Sequence, residues 1–263
     1  MQPVPASVPA LVTGASSGIG ETFARRLAER GHELVLVARR TDRLERLATD
    51  LRRLHDVRVD VIGADLETAE GRKRVAARLS GGGPWLLVNN AGFGTRGRFV
   101  EQDPAREAAE ITVNGLAVHQ LMRAALPGCL AARQGGVVNV ASTAAFQPLP
   151  HFATYAATKT FVLHLSEAVA AELRGSGVRV MALCPGFTST EFAQVAGATR
   201  EFQRLGPLTM TRESVVEAAL RAFDRGDVIC VPGPINVVGA HAVRLLPRSA
   251  VRRVLEPVFR GRR

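Results

Sequence analysis

The stretch Ala10-Leu11-Val12-Thr13-Gly14-Ala15-Ser16-Ser17-Gly18-Ile19-Gly20-Glu21 decides how the chain is read. A short apolar run passes into a turn with glycine at positions 14, 18 and 20, and a helical pattern carrying Phe23 and Leu27 follows at once. Glycine lets the backbone turn sharply and approach a ligand closely, and the free N–H groups at the start of a helix, with the positive end of its dipole, receive negative charge. The same glycines could serve a tight turn alone. The strand before them and the helix after them favour the opening of a nucleotide-binding βαβ unit.

Working outward, the rhythm repeats. Strand-like runs at Ala10 to Thr13, Glu33 to Ala38, Val57 to Ile62, Trp85 to Asn89, Val137 to Ala141, Val178 to Leu183 and Val228 to Val231 alternate with apolar residues at helical spacing. The helical sets are Phe23 and Leu27, then Leu44, Leu47, Leu51 and Leu54, then Leu121 to Leu130, Phe161 to Leu173, and Val215 to Phe223. This alternation predicts an α/β fold of the Rossmann type, a doubly wound parallel seven-stranded sheet with helices on both faces, as one domain. Right-handed crossovers favour the order 3-2-1-4-5-6 with the seventh strand at an edge. Two regions fall outside the rhythm: Phe187 to Thr211, and the tail from Pro232 onward.

Composition narrows the classes. At 263 residues and 46% hydrophobic, one core is enough for the whole chain. No apolar run reaches the roughly 18 residues needed to cross a bilayer, and Met1 to Ala10 does not read as a signal peptide, so a cytoplasmic protein is expected. Cys129, Cys184 and Cys230 are an odd number at wide spacing, which argues against a disulfide framework or a metal site. The net charge of +10 is nearly all arginine, since Lys73 and Lys159 are the only lysines. No nucleic-acid recognition motif or aromatic platform accompanies those arginines, so no nucleic-acid partner is expected.

About 20 residues beyond the Gly-rich turn, where a carboxylate would accept from the adenosine ribose of NAD(H), the chain has Arg39 and Arg40. A guanidinium matches the oxygens of a 2′-phosphate, so NADP(H) is expected ahead of NAD(H); the alternative is a solvated surface pair. Asp65 could accept from the adenine amino group or cap the following helix. Tyr155, the only tyrosine, precedes Lys159 by four residues and shares a helix face with it. A phenol whose ordinary pKa is about 10 is a sluggish acid or base at neutral pH, and a nearby ammonium together with a positive nicotinamide is expected to pull that pKa down. Ser142 closes the fifth strand, where it could hold a carbonyl oxygen or cap a turn.

Together these residues make the chain resemble the short-chain dehydrogenase/reductase (SDR) family over nearly all of Ala10 to Phe192. The shared motifs are Thr13-Gly14 with Gly18-Ile19-Gly20, Asp65-Leu66, Asn89-Asn90-Ala91-Gly92, Asn114, Ser142 with Tyr155 and Lys159, and Pro185-Gly186 with Thr188. The resemblance implies a carbonyl–alcohol oxidoreductase in which Tyr155 is the general acid/base and Ser142 orients the substrate oxygen. It further implies that Lys159 binds the nicotinamide ribose and lowers the tyrosine pKa, and that Asn114 bends its helix and completes a proton relay. Cofactor contacts are implied for Gly14, Ser16, Ser17, Gly18, Ile19, Gly20, Arg39, Arg40, Asp65, Leu66, Asn90, Ala91, Gly92, Tyr155, Lys159, Pro185, Gly186 and Thr188. Ser17 stands where one NADP-type pattern has a basic residue, whereas Arg39 fits the other. The family's habit implies a homo-dimer or homo-tetramer. A catalytically idle NADP(H)-binding sensor or scaffold is the alternative, and intact Tyr155 and Lys159 weigh against it.

The substrate end is less defined. Phe93 to Arg96, Phe146 to Phe152 and Phe187 to Pro207 are expected to ring the cleft, with an apolar or mixed carbonyl as substrate or simple packing as the alternative, and Thr190 to Pro207 reads as a lid. Residues 1–235 are expected to form the catalytic domain and 236–263 a basic amphipathic extension. That tail, with Val237, Val238, Val251, Val254, Leu255 and Phe259 among arginines, resembles a subgroup whose chains run past the usual end. It is expected either to touch an anionic membrane surface peripherally or to pack over the domain or a subunit interface.

Overall fold

The computed structural model describes residues 3–199, 209–245 and 247–259. Seven strands form one parallel sheet: β1 (Ala10–Thr13), β2 (Leu34–Ala38), β3 (Val59–Gly63), β4 (Leu86–Asn89), β5 (Gly136–Val140), β6 (Arg179–Leu183) and β7 (Ile229–Cys230). Their order is β3-β2-β1-β4-β5-β6-β7, as the crossover argument requires. All pairings are parallel; Ala10, Leu11 and Val12 lie in register with Leu34, Val35 and Leu36 of β2 and with Leu86, Leu87 and Val88 of β4.

Strand residues alternate between two cores. Ala10 and Val12 face one layer, where they meet Phe23 and Leu27 of α1 (Gly18–Glu29), Leu44 and Leu51 of α2 (Thr41–His55), and Val215 and Phe223 of a helix at Arg212–Arg225. Leu11 and Val35 face the other layer, built from α3 (Ala69–Ser80), α5 (Val118–Ala132) and α6 (Ala153–Glu172). Phe23, Leu27, Leu44 and Leu121 are essentially inaccessible to solvent. Each such side chain contributes on the order of 1.5–3 kcal/mol relative to exposure. All three cysteines are free and buried.

The structure adds helices that apolar periodicity did not mark. Helix α3 buries only Gly71, Val75 and Leu79. Its start is set by Thr68, whose hydroxyl accepts from the Gly71 N–H. Helix α4 (Pro104–Ile111) buries only Glu110; Asp103 caps it, with Pro104 at the first turn. A π-helical turn at Thr112–Ala117 joins α4 to α5, and Asn114 sits inside it. The short α7 (Phe192–Val195) is likewise added; α8 (Arg212–Arg225) is the helix expected from Val215 to Phe223, and α9 (Pro234–Leu245) and α10 (Arg248–Phe259) follow in the tail. The expected division at 235/236 falls inside α9. Of the expected lid, residues 200–207 lie outside the described residues, as do Leu246, Arg260, Arg262 and Arg263 of the tail.

The side on which successive strands are added reverses between β1 and β4: β2 and β3 extend the sheet to one side, β4 to β7 to the other. Outside the carboxyl ends of β1 and β4 a crevice is therefore left between the two sets of connections.

Candidate active site

The Gly-rich turn is braced from β4. The Thr13 hydroxyl donates to the Val88 carbonyl (3.3 Å) and accepts from the N–H groups of Asn90 and Ala91 (both 3.0 Å). The Asn90 amide donates to the carbonyls of Thr13 (2.9 Å) and Gly14 (3.3 Å). Gly14 has φ +66°, and a β-carbon there would lie 2.7 Å from the Asn90 amide nitrogen, so both conformation and space demand glycine. A β-carbon at Gly18 (φ +60°) would come within 3.2 Å of Thr190, which places the segment after β6 directly against the turn.

A cavity of about 540 Å³ opens along this crevice, a size typical of cofactor and ligand sites. It brings together every sequence-derived site residue except Gly20 and Asn114. Gly20 lies buried behind the turn, where a β-carbon would strike the Gly14 carbonyl and the Asn90 amide, so its role is packing. At one end are Arg39 and Arg40, which are arranged differently. Arg39 turns to Glu67 (3.1 Å) and, at longer range, to Asp65 (3.9 Å). Arg40 points at the turn: its guanidinium donates to the Ser16 hydroxyl (3.1 and 3.2 Å), the Ser17 hydroxyl (2.9 Å) and the Glu191 carboxylate (2.9 Å). Asp65 does not cap α3, which is Thr68's part; its carboxylate accepts from the Glu67 N–H (3.0 Å) and borders the cavity.

At the middle of the cavity, Ser142 takes the capping part: its hydroxyl accepts from the Ala144 N–H (3.1 Å) at the start of a short turn, and it stands beside the Tyr155 phenol, which it favours in the ionised form. Lys159 is buried, donates to the Val140 carbonyl at 2.8 Å, and places its ammonium 5.7 Å from the centre of the Tyr155 ring. The expected depression of the phenol by Lys159 is not what this arrangement gives. Burial pushes Tyr155 up to about 12, against a lowering hydrogen bond from Ser142, and the nearby Glu110 carboxyl pushes the same way. Loss of water around Lys159 brings it down to about 8, opposed by Glu110 and Cys184. At neutral pH the phenol therefore holds its proton, the state needed to protonate an alkoxide.

Asn114 stands behind the cavity. Its amide accepts from the Phe93 N–H (3.1 Å) and donates to the Phe93 carbonyl (2.8 Å) and the Thr158 hydroxyl (3.1 Å), pinning the loop after β4 to α6. Asn114 makes these bonds from within the π-helical turn, a form that concentrates at functional sites. One helical turn earlier, the fully buried Glu110 accepts from the Thr95 N–H (2.9 Å) and hydroxyl (2.6 Å), while its Oε1 has no hydrogen-bond partner among the described residues. Burial raises its pKa to about 7.

The other end of the cavity is apolar: Leu149, Phe152, Phe187, Phe192 and Val195, with Leu255 and Phe259 from α10. Phe259 stands edge-on to Phe152 (5.8 Å), and Phe192 lies 5.2 Å from Tyr155. The Arg96 guanidinium donates to the Phe259 carbonyl (3.2 Å), tying the end of α10 to the loop after β4. Sequence reasoning missed Glu110; it had Thr190 and Glu191 only as part of a segment ringing the cleft, without their contacts to Gly18 and Arg40, and it had the tail packing over the domain without assigning α10 to the cavity wall. An acidic residue one turn before Asn114 was the available signal for the first, and the spacing of Val251, Leu255 and Phe259 for the last.

The family model for short chain dehydrogenase matches residues 9–201. Among solved structures, a short-chain dehydrogenase from Sphingobium yanoikuyae in complex with NADPH superposes with a TM-score of 0.82 at 36% identity, covering 97% of this chain and 98% of that one. A bulky-bulky ketone specific alcohol dehydrogenase from Comamonas testosteroni gives 0.78 at 35% identity, with 97% and 96% covered. The very-long-chain 3-oxoacyl-CoA reductase of Anas platyrhynchos is 29% identical over 251 residues, 94% of this chain and 78% of its own. With the parallel sheet, the braced Gly-rich turn and the Ser142–Tyr155–Lys159 cluster in one crevice, these likenesses place the chain in the short chain dehydrogenase family, as an oxidoreductase acting between carbonyl and alcohol.

Proposed function

We propose that the chain is an NADP(H)-dependent enzyme that interconverts a bulky, apolar ketone or aldehyde with its alcohol, using Tyr155 as general acid/base. The observation that carries this reading is the position of Tyr155 and Ser142 at the boundary of one cavity, with an arginine–serine cradle at one end and an aromatic chamber at the other. The NADPH complex of the Sphingobium relative and the bulky ketone specificity stated for the Comamonas relative support both halves of the proposal.

The residues present fit such a cofactor. Gly14 and Gly18 let the backbone of the turn be approached closely, the Ser16 and Ser17 hydroxyls gather around the Arg40 guanidinium, and α1 begins at the turn. In this reading Gly14 to Ile19 hold the pyrophosphate, Arg40 with Ser16 and Arg39 the 2′-phosphate, and Asp65 and Leu66 the adenine. Asn90, Ala91 and Gly92 border the ribose, which Lys159 binds, and Pro185, Gly186 and Thr188 flank the nicotinamide. When bound, the cofactor supplies or accepts the hydride at the carbonyl carbon. Ser142 donates to the carbonyl oxygen, Tyr155 delivers a proton to that oxygen, and Lys159, held by the Val140 carbonyl, keeps positive charge beside the phenol as it becomes phenolate. Asn114 holds the Phe93 loop, and the aromatic chamber excludes water from the reacting carbon.

A panel of aldehydes and ketones graded by size, followed through NADPH absorbance, tests the reading. Aryl and branched ketones are expected to outpace acetone-sized compounds; turnover of none of them by a protein that binds NADPH would refute it.

We infer further that copies of the chain associate through α4 to α6, whose Ile111, Leu116 and Phe161 are exposed. Light scattering giving a monomer mass would overturn this. Among the described residues no helix is long and apolar enough to cross a membrane. In α10 the stripe Val251, Leu255 and Phe259 turns inward while Arg252, Arg253 and Val254 face out. This supports a tail that walls the cleft, with any contact to an anionic surface left to its arginine face. Salt-dependent sedimentation with anionic liposomes separates the two roles.

A further inference from the structure

The anion seated in the arginine cradle is the chain's own. Glu191 reaches from the segment after β6 and forms ion pairs with Arg40 (2.9 Å) and Arg43 (2.7 Å), while the same Arg40 guanidinium is bonded to Ser16 and Ser17 of the Gly-rich turn. Every one of these residues except Arg43 lines the cavity. Two arginines on a carboxylate, one of them held in turn by two serine hydroxyls, form a donor set suited to a phosphate group. The residue following Glu191 is Phe192, whose ring lies against Tyr155, and Thr190 is the side chain packed on Gly18. The segment therefore touches the phosphate end and the reacting end of the cavity within three residues.

We propose that Glu191 occupies the seat of the cofactor's 2′-phosphate and must leave it when a 2′-phosphorylated dinucleotide binds, so that it sets the strength of discrimination between NADP(H) and NAD(H) and couples that choice to the placement of Phe192 over Tyr155. The inference rests on the NADP(H) reading above. Arg43 and Arg40 hold the Glu191 carboxyl down to about 2, so it is an anion throughout the working range of pH. A 2′-phosphate, close to doubly charged at neutral pH by analogy with other phosphomonoesters, cannot share the Arg40 donors with a carboxylate without like-charge repulsion. It wins by its larger charge, yet its binding is weakened by the displacement. An unphosphorylated ribose makes no claim on the seat and leaves Glu191 in place.

The test uses 2′,5′-ADP and 5′-AMP, which carry the phosphate end without the nicotinamide, with binding measured calorimetrically on the full chain at fixed ionic strength. Glu191→Gln is nearly isosteric, and the side chain is about two-fifths exposed, so the fold is not at stake. The variant is expected to bind 2′,5′-ADP about 2–5-fold more tightly than the unaltered protein, a gain on the scale of one partly screened ion pair, with 5′-AMP unchanged. Hydrogen exchange of residues 188–199 provides the second readout: 2′,5′-ADP should speed it in the unaltered protein, and 5′-AMP should not. Equal or weaker binding of 2′,5′-ADP by Glu191→Gln, or exchange in 188–199 that does not respond, overturns the proposal while leaving the NADP(H) reading standing. An unaltered protein that does not prefer 2′,5′-ADP over 5′-AMP overturns both.

Discussion

Glu110 makes the stability of this protein depend on pH in an unusual direction. Its carboxyl is fully buried on α4, two of its contacts come from Thr95, and burial raises its pKa from 4.5 to about 7. The folded protein thus keeps a proton on Glu110 that the unfolded chain releases near 4.5. Its contribution favours folding fully below that value and is lost as pH rises through about 7. Between about pH 5.5 and 8.5 the loss amounts to roughly 2 kcal/mol, from 1.36 kcal/mol per unit and the fraction titrated across that window. Glu110→Gln retains an oxygen acceptor for Thr95 and cannot titrate. Its own stability at any one pH includes the cost of an unpartnered amide N–H, so the telling quantity is the difference between the two proteins as pH changes. That comparison also cancels His32, whose pKa is lowered by burial and which acts in the opposite sense. In paired calorimetric scans at equal protein concentration, the unaltered protein should lose about 4–8 °C of Tm relative to Glu110→Gln on going from the acidic to the alkaline buffer. Parallel Tm curves across this range would show that Glu110 does not hold a proton in the folded state, and would refute the argument from burial.

Tyr155→Phe should lower kcat by a factor on the order of 10²–10⁴ with NADPH affinity nearly unchanged, and retained turnover would remove the phenol from the reaction. Arg40→Asp should weaken NADPH by more than about tenfold and spare NADH, since it deletes a charge-assisted set worth about 1.5–3 kcal/mol, whereas Arg39→Asp, at a residue already paired with Glu67, should shift the ratio less; calorimetry on the two variants ranks them. Asn114→Ala releases the Phe93 loop from both ends of its hydrogen-bond pair, so kcat should fall together with a loss of Tm on the order of a few degrees. An unchanged kcat would confine Asn114 to structure.

The strands were legible because they are nearly continuous apolar runs, as expected where both faces of a parallel sheet are covered. Val35 and Leu36 are buried on opposite sides of β2, so no polar residue interrupts the pattern. Helices α1, α2 and α8 were legible through stripes such as Leu44, Leu47 and Leu51. Helices α3 and α4 were not, because their inward faces consist of Gly71, Val75 and Leu79 in one case and of a carboxylate in the other. A buried glutamate violates the polar-outside rule on which periodicity depends. At the site, residue identity and spacing indicated Ser142, Tyr155 and Lys159, but spacing carries no information on solvation, which is why the direction of the Tyr155 shift had to come from three dimensions. Arg39 and Arg40 were likewise adjacent and equivalent in sequence. Only the fold turns one toward Glu67 and the other toward Ser16 and Ser17.

The tail shows how far a correct local reading can stand from its use. An amphipathic stripe in a basic helix is the same pattern whether it lies on a membrane surface or on the protein's own core. In α10 the choice is made by Phe152, which presents an aromatic edge to Phe259, and by Arg96, which binds the carbonyl at the end of that helix. The apolar end of the cavity is thereby completed by residues about 100 positions beyond Tyr155 in sequence, and its size depends on how firmly α10 is docked. Phe259→Ala separates docking from chemistry. Loss of the ring opens the chamber at the corner formed with Phe152, so KM for large ketones should rise several-fold while kcat/KM for a small aldehyde stays level. Local release of a terminal helix should leave the global Tm almost where it was. A uniform fall in kcat/KM for large and small substrates alike would mean that α10 supports Tyr155 itself, through Phe152, rather than the space in front of it.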